Sequence, residues 1–282
     1  MNSYSLVGRI ETNKEGYQKL LNFYNYANKH NNCWFNLDIT NLEWIDANLS
    51  ANLFLFCHLL KKKNKIKFFI DYYTLKGYLE VLNRNGFAYF VVENKENFLQ
   101  YDYKDTTIPL KAFKTDDVDG FSKYIENTLL KHQGLDRVKY DDKDRLKSNY
   151  FEVFDNVGIH SNTETPIFAC GQFFPNNKEL KFTLIDYGDG FLKKIAEYTS
   201  DTDKIKVAKR AIDWAVRGNS SKASAKGGNG LKGIIQYCLR NGGSFHIISD
   251  DCYWEYQNRS VNYHKIENNI KGVTINIIFK YL

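Results

Sequence analysis

The chain has 282 residues, which is enough for one large domain or two domains of ordinary size. Hydrophobic residues make up 43% and aromatic residues 16%, so a packed core is expected, and the absence of a repeat period argues against a solenoid. The formal net charge of +6 is modest for this length. The densest basic run, Lys61–Lys65, is interpreted as the solvated end of a helix, so nucleic acid is not favoured as a partner.

The sequence also indicates the cellular compartment of the protein. No apolar run reaches the length of a membrane span, and the N-terminus, Met-Asn-Ser-Tyr-Ser, lacks the charged and apolar regions of a signal peptide. The five cysteines, at positions 33, 57, 170, 238 and 252, include no Cys-x-x-Cys pair, and their scatter is typical of reduced core thiols. We therefore expect a cytoplasmic protein without a membrane partner.

The first half of the chain alternates between patterns typical of strands and helices. Period-two alternation predicts a strand over Trp34–Thr40, and apolar residues at helical spacing predict a helix over Leu49–Leu60. Further strands are predicted at Ile66–Ile70 and Phe87–Val92, with a helix between them that begins at the cap residue Thr74. This βαβαβ order predicts a small α/β domain with a partly parallel sheet.

Two stretches in this half, Asn36-Leu-Asp-Ile-Thr and Leu42-Glu-Trp-Ile-Asp-Ala-Asn-Leu, resemble the STAS fold of anti-sigma-factor antagonists. In that family a strand leads to an Asp-Ser-Ser-Gly-like turn, whose second serine accepts a phosphate. Asp46 matches, but alanine and Asn48 replace the serines, and Ser50 is out of register. The resemblance implies a STAS-like α/β domain over residues 1–110, a scaffold or docking surface without the switch. Read from the residues alone, Asp46 is better explained as the N-cap of the following helix.

The polar, irregular residues 93–116 mark the predicted domain boundary. Beyond them, apolar spacing predicts a helix over residues 144–160. Glu152 and Asn156 are four residues apart on this helix, so they share its polar face. A solvated helix face is the default interpretation of such a pair.

A hairpin is predicted next, with strands over Thr165–Phe173 and Leu180–Asp186. Its second strand delivers Asp186 into a turn with Gly188 and Gly190. An aspartate that follows an apolar strand and enters a glycine turn is typical of a ligand site, because the backbone can approach a flat ligand closely there. Taken alone, the pattern fits a structural hairpin turn equally well.

The segment Arg217–Gly230 is rich in Gly, Ser and Lys and leads directly into a predicted helix that begins at Leu231. A glycine-rich loop that opens onto a helix N-terminus is an anion site, because free backbone N–H groups and the positive end of the helix dipole face the ligand. A flexible linker is the alternative, although linkers seldom open straight onto an amphipathic helix.

The remaining elements of the second half are predicted from spacing and alternation. Helices are expected at Phe191–Tyr198 and Ile205–Ala215, and strands at Ser244–Ser249 and Val273–Tyr281. The segment near Glu255–Glu267 is predicted to be irregular.

Three short motifs follow one another in the second half of the chain: Glu152-x-x-x-Asn156, Asp186-x-Gly188-x-Gly190 and Gly228-x-Gly230-Leu231. In order and spacing they resemble the N, G1 and G2 boxes of the GHKL family of ATP-binding domains, which includes DNA gyrase B, sensor histidine kinases and anti-sigma-factor kinases. The resemblance covers residues 118–282. It implies a Bergerat fold, a two-layer α/β sandwich with a mixed sheet.

The resemblance implies a role for each matched residue. Asp186 would accept a hydrogen bond from the adenine amino group, and Asn156 would hold Mg²⁺ through its amide oxygen. Glu152 would act as the general base that activates the attacking nucleophile. Backbone contacts with the nucleotide are implied for Gly188, Gly190, Gly228, Gly230 and Leu231.

Three further positions are weighed without a matching motif. Lys222 and Lys226, in the glycine-rich loop, are candidates to contact the γ-phosphate as that loop closes, because a lysine point charge suits phosphate. The family often has Gly-Thr at the start of its last strand, and the threonine helps to bind adenine. Here Gly272 is followed by Val273, so Thr274 is left out of the expected site.

Together these features predict a signalling protein that binds Mg-ATP. As an enzyme it would hydrolyse ATP or phosphorylate a partner protein, and Glu152 favours this class because a switch without chemistry needs no base. The alternative is a non-catalytic, ATP-gated interaction module. The protein partner is not identified by the sequence, and a homodimer is left open.

Overall fold

A computed structural model describes residues 1–98, 106–160, 163–199, 205–219, 229–268 and 271–280, with the backbone alone at 157–160 and 229. The protein is mixed α/β, with parallel and antiparallel sheets. None of the helices in these ranges combines the length and apolar character that a bilayer crossing requires. Two compact units are formed, Met1–Lys111 with Phe168–Gln172, and Ala112–Ile167 with Phe173–Leu282. The sequence prediction had assigned residues 168–172 to the second domain.

The first unit contains short parallel strands and a pair of packed helices. Strand β3 pairs in parallel with β1 and β5, and β2 pairs in parallel with β4. The predicted strands around Trp34 and Phe68 and the helix between them are confirmed. The elements are β1 Asn2–Ser5, β2 Gly8–Ile10, α1 Lys14–Ala27, β3 Trp34–Asp38, β4 Leu42–Ile45, α2 Ser50–Asn64, β5 Lys67–Phe69, α3 Val81–Arg84 and α4 Phe87–Val91.

The predicted third strand is wrong, because Phe87–Val91 forms helix α4. The buried Asn85 side chain accepts a hydrogen bond from the Phe87 N–H at 2.9 Å, which turns the chain into the helix. A short apolar run fits a strand or a buried helix equally well, so periodicity alone could not decide.

The predicted helix cap at Thr74 is wrong as well. Thr74 ends a 3₁₀ turn, and its hydroxyl donates a hydrogen bond to the Asp71 carbonyl at 2.6 Å.

Asp46 does not act as the predicted helix cap. Its buried carboxylate accepts hydrogen bonds from the Thr12 N–H at 2.7 Å, the Thr12 hydroxyl at 2.8 Å and Trp44 Nε1 at 2.9 Å. No side-chain bond from Asp46 reaches the following 3₁₀ turn. The carboxylate therefore joins the end of β4 to the segment before α1.

The turn after Asp46 is closed to solvent. Asn48 and Ser50 are fully buried. The Ser50 hydroxyl oxygen accepts a hydrogen bond from Asn85 Nδ2 at 2.9 Å, and the Ala47 N–H donates to Gln172 Oε1 at 2.8 Å. A kinase could reach Ser50 only after this turn had opened.

The second unit places helices on sheet strands that follow one another in the order β11-β10-β9-β12-β8. The predicted hairpin is confirmed by β7 and β8, which flank a 3₁₀ turn at Pro175–Asn177. The elements are β6 Thr107–Phe113, α5 Val118–Tyr124, α6 Tyr140–His160, β7 Ile167–Phe174, β8 Glu179–Ile185, α7 Gly190–Tyr198, α8 Ala208–Val216, α9 Asn229–Asn241, β9 Ser244–Ser249, β10 Cys252–Gln257, β11 Ser260–Lys265 and β12 Val273–Lys280.

Two segments that were predicted to be irregular contain strands. Strand β6 lies within residues 93–116, and the hairpin of β10 and β11 lies where Glu255–Glu267 was expected to be irregular. The hairpin turns at Asn258 and Arg259, both with positive φ, of 51° and 61°. Its second turn residue is arginine and β11 is mostly exposed, so the segment lacks both the usual glycine signal and the alternation of a half-buried strand.

The interpretation of Asp46 predicts a large effect for Asp46→Ala. The buried Thr12 N–H and the part-buried Trp44 indole N–H would lose their acceptor, and the Thr12 hydroxyl would keep only Asn48 Oδ1 at 3.2 Å, so we expect the free energy of unfolding of the first unit to fall by about 3 kcal/mol. Asp71→Ala is the matched control, because the exposed Asp71 only caps a 3₁₀ turn through the Tyr73 N–H, and this loss costs about 1 kcal/mol or less. Urea unfolding followed by circular dichroism measures both variants, and equal losses would refute the structural role of Asp46.

Candidate functional site

The three motif segments lie toward the same end of the second unit. Helix α6 packs on β8 through Tyr150 and Phe182, whose ring centroids are 5.6 Å apart. Helix α9 packs on the far end of β12 through Tyr237 and Phe279, at 5.9 Å. The first turn of α9 therefore points to the opposite end of β12, where that strand begins beside Asp186.

Helices α6 and α9 approach each other closely where two of these motifs meet. A Cβ atom on Gly230 would lie 2.8 Å from the Asn149 carbonyl oxygen and 2.9 Å from Glu152 Cβ. A Cβ on Gly233, one turn later, would clash with the Asn149 side-chain amide. Only glycine permits this approach, so the first turn of α9 lies directly against the helix that carries Glu152.

Asp186 is a buried carboxylate at the end of β8. Its N–H donates to the Val273 carbonyl at 3.0 Å, which extends the ladder with β12 by one residue. Its Oδ1 accepts a hydrogen bond from the Gly188 N–H at 2.7 Å. Since Phe182 faces α6 and side chains alternate along a strand, Asp186 also points toward the helical layer.

Burial raises the pKa of Asp186 to about 7, although backbone hydrogen bonds from Gly188 and Val273 oppose the shift. These two donors occupy part of the carboxylate, which has about four acceptor positions. The group can therefore still accept a hydrogen bond from a ligand. A buried carboxyl with a strongly shifted pKa is typical of a functional site.

The backbone around Asp186 is held close by two glycines. Gly272 has φ 104°, and a Cβ there would clash with the Asp186 carbonyl oxygen. Gly190 has φ 74°, and its Cβ would lie 3.1 Å from the Ser249 hydroxyl and 3.2 Å from the Asp250 carboxylate. The start of β12 and the start of α7 can adopt these positions only with glycine.

The N-terminus of α7 is capped by residues distant in sequence. The Phe191 N–H donates to Ser249 Oγ at 3.0 Å, and the Leu192 N–H donates to Asp250 Oδ2 at 3.1 Å. The adjacent Asp189 is paired instead with Lys193 at 2.9 Å. This side of the Asp186 turn is therefore fixed by the end of β9.

The structure describes only part of the predicted phosphate-binding segment. Gly230 and Leu231 lie in the first turn of α9, and the Leu231 side chain is buried in the core. Asn156 is half-buried on α6, one turn beyond Glu152. Within the described ranges, no three His, Cys, Asp or Glu side chains gather where a metal ion could be held. The remaining candidates, Lys222, Lys226 and Gly228, lie outside the described residues.

Several residues that shape this region were not predicted as part of it. Gly233, Gly272, Ser249 and Asp250 act through close approach or capping. Asp250 is 58 residues from the N–H that it caps, so no local pattern could reveal it. Thr274 pairs with Ile185 across the ladder and shares that residue's sheet face, so it alternates with Asp186.

Comparison of the chain with models of known protein families gives no match, and comparison with curated proteins gives none either.

The pKa of Asp186 predicts how stability changes with pH. Because the folded protein holds this proton more tightly than the unfolded chain, where an Asp titrates near 3.8, stability falls as pH rises from about 4 to about 7. Asp186→Asn removes that dependence, so its unfolding midpoint should exceed that of the parent protein at pH 8 by several degrees and match it near pH 4.

Thermal unfolding at the two pH values tests this expectation. Asp189→Asn is the control from the same turn, because the hydrogen bond with Lys193 lowers the pKa of Asp189. That variant should gain no stability at pH 8. An Asp186→Asn protein that is less stable than the parent at pH 8 would contradict the assignment.

Proposed function

We propose that the second unit is a GHKL-type ATP-binding domain with the two-layer architecture of that family, and that the first unit is a STAS-like domain. The observation that carries the proposal is that the described parts of three ordered motifs lie toward one end of the second unit. Glu152 and Gly230 are in contact there, and Asp186 lies at the same end of the sheet. A chance set of weak motifs would have no reason to converge.

The adenine end of the nucleotide is assigned to Asp186. Adenine presents an amino group as a donor, and a buried carboxylate with free acceptor capacity is its complement. Gly188 has no side chain that would stand between the turn and a flat base, and Gly272 lets the start of β12 lie against the Asp186 carbonyl oxygen. The raised pKa of Asp186 supports this role, because the buried charge is costly until a donor such as the amino group satisfies it.

The phosphate end of the nucleotide is assigned to a site between the first turn of α9 and helix α6. Backbone N–H groups of Gly230 and Leu231 lie where the helix dipole favours an anion, and Lys222, Lys226 and Gly228 precede them in the chain. An ion held by Asn156 fits Mg²⁺ bound mainly through phosphates, which needs one or two protein ligands and no carboxylate cage. Mg²⁺ would screen the phosphate charges.

Glu152 favours an enzyme over an ATP-gated switch. It sits on α6 against Gly230, on the helical turn before Asn156, which is where a base for the attacking nucleophile is needed. We propose ATP hydrolysis or phosphoryl transfer to a partner protein. The non-catalytic switch is the alternative, and substitution of Glu152 distinguishes the two functions.

The first unit is proposed as a scaffold or docking surface. The position of the STAS phospho-acceptor is occupied by Asn48, and both Asn48 and Ser50 are buried. The buried turn supports a protein substrate in trans rather than the first unit itself.

The adenine assignment predicts a specific loss of affinity. Asp186→Asn would present an amide donor to the adenine amino group, so Mg-ATP binding should weaken about tenfold to a hundredfold. Asp189→Asn removes the same charge from the same turn and should retain the affinity of the parent protein. Isothermal titration calorimetry measures all three proteins, and an unchanged affinity in Asp186→Asn would remove this residue from the site.

The phosphate assignment predicts different losses at two positions of one helix. Asn156→Ala should lose Mg-dependent nucleotide binding, because the metal loses its protein ligand. Glu152→Ala should bind Mg-ATP about as well as the parent protein and lose turnover by about 10²–10⁴.

Labelled ATP, with and without co-purified proteins, gives both free phosphate and protein-bound label. If Glu152→Ala leaves both signals unchanged while Asn156→Ala loses binding, the protein is an ATP-gated switch. If neither variant differs from the parent in binding or turnover, the N-box assignment fails.

A further inference from the structure

A basic groove opens at the end of the second unit that is farthest from Asp186. It has a volume of about 830 Å³ and lies where α9, β10 and β12 end and α6 begins. Strand β12 starts beside Asp186 and ends at Lys280 in this groove, so the two places are separated by roughly 24 Å, at about 3.4 Å per residue. The groove is therefore distinct from the adenine end of the candidate nucleotide site.

The groove continues along the cleft between α6 and α9. A second cavity, of about 370 Å³, shares Asp142, Tyr237 and Arg240 with the first and extends to Asn149 and Gly233. We call the two cavities together the basic track. Its cationic side chains include Lys139, Arg145, Lys232, Arg240, Arg259 and Lys280.

The charge of the basic track is poorly compensated. Among the lining residues that the structure describes, Asp142 is the one carboxylate, and it lies 3.5 Å from Arg240, at the long end of ion-pair distances. Lys280 pairs with Glu179 at 3.3 Å. Among the described residues, no carboxylate lies within ion-pair distance of Lys139 or Arg259. Several exposed cations in one cleft repel one another, so an anionic occupant would stabilise them.

The form of the track favours an extended acidic peptide. Small-ligand sites are mostly apolar with a few buried polar groups, whereas the cations here are exposed. Single-stranded nucleic acid needs exposed aromatic faces for stacking, and the lining Tyr237 and Tyr256 are buried. The cleft follows most of α9, and the 13 residues of this helix span about 20 Å. An extended peptide of about six residues has the same length. Arginine forks match carboxylates in particular.

We propose that the basic track docks an acidic, extended segment of a protein partner. Arg240 and Arg259 would form paired hydrogen bonds with its carboxylates, while Lys139, Lys232 and Lys280 would act as point charges. This proposal does not depend on ATP binding by the protein. Its inner end lies one turn of α9 from Gly230, so a docked partner would lie close to Glu152.

The test is direct binding of a labelled hexaglutamate peptide, measured by fluorescence anisotropy without nucleotide at low and at physiological salt. The parent protein should bind it, more weakly as salt rises. The double charge reversal Lys139→Glu with Arg259→Glu should weaken binding about tenfold or more, since each exposed pair contributes up to about 1 kcal/mol. Lys123→Glu with Lys265→Glu is the matched control, because both lysines are exposed in the second unit outside the track. It makes the same change in net charge and should bind within about twofold of the parent.

Three further probes distinguish an acidic peptide from a neutral peptide, a small anion and a nucleic acid as the ligand of the track. Hexaglutamine should not bind, and inorganic phosphate at millimolar concentration and a single-stranded oligonucleotide of six bases should each compete poorly. Absence of hexaglutamate binding by the parent protein overturns the proposal, as does an equal loss in the two double variants. Tighter binding of the oligonucleotide than of the peptide overturns it as well.

Discussion

The close packing of α9 on α6 is the contact on which the candidate site depends. Gly230 and Gly233 let the backbone of α9 approach Asn149 and Glu152 with no side chain between them. A larger residue at either position would move the first turn of α9 away from α6. The helix terminus suited to a phosphate and the carboxylate suited to a nucleophile would then separate. The same contact forms the inner wall of the basic track, so both proposed functions share one packing constraint.

The second constraint is the burial of Asp186. A carboxylate inside a protein is costly unless its oxygens are satisfied, and two backbone N–H groups satisfy this one only in part. Burial raises its pKa because the charged form is removed from water. A buried carboxyl with such a shift is a candidate for a functional role. A ligand donor that completes its hydrogen bonds would recover part of this cost on binding.

Sequence patterns are enough to place the local candidates on their elements. Helical spacing puts Glu152 and Asn156 on one face of a helix, and a strand that runs into a glycine turn carries Asp186, whereas the proposed roles of these residues come from the family resemblance and stay predictions. The strand at Ile185 and the helix that begins before Leu231 were also predictable, because each has a clear period. Helix α4 was predicted as a strand because five apolar residues have no diagnostic period, and a buried Asn85 side chain set the outcome.

The remaining parts depend on contacts between residues far apart in the chain. Asp250 caps α7 from 58 positions away, and Gly272 lies against Asp186 only once β12 has paired with β8. Strand β11 is mostly exposed and therefore lacks alternation. The basic track combines the ends of four elements, and its lysines and arginines are unremarkable in the sequence. Such features are set by the assembled sheet, which single-sequence patterns do not report.

Asp46 and Asp186 show why the structure is needed to separate a structural aspartate from a binding one. Each follows an apolar strand, enters a turn and is buried. Asp46 is surrounded by the Thr12 backbone N–H, the Thr12 hydroxyl and the Trp44 indole, so its own chain supplies side-chain as well as backbone donors. In the part of the chain that the structure describes, Asp186 has backbone donors only, and burial raises its pKa to about 7. A ligand has little to offer the first carboxylate and much to offer the second. The difference lies in which donors the fold supplies, and this is the physical reason for assigning binding to Asp186 and architecture to Asp46.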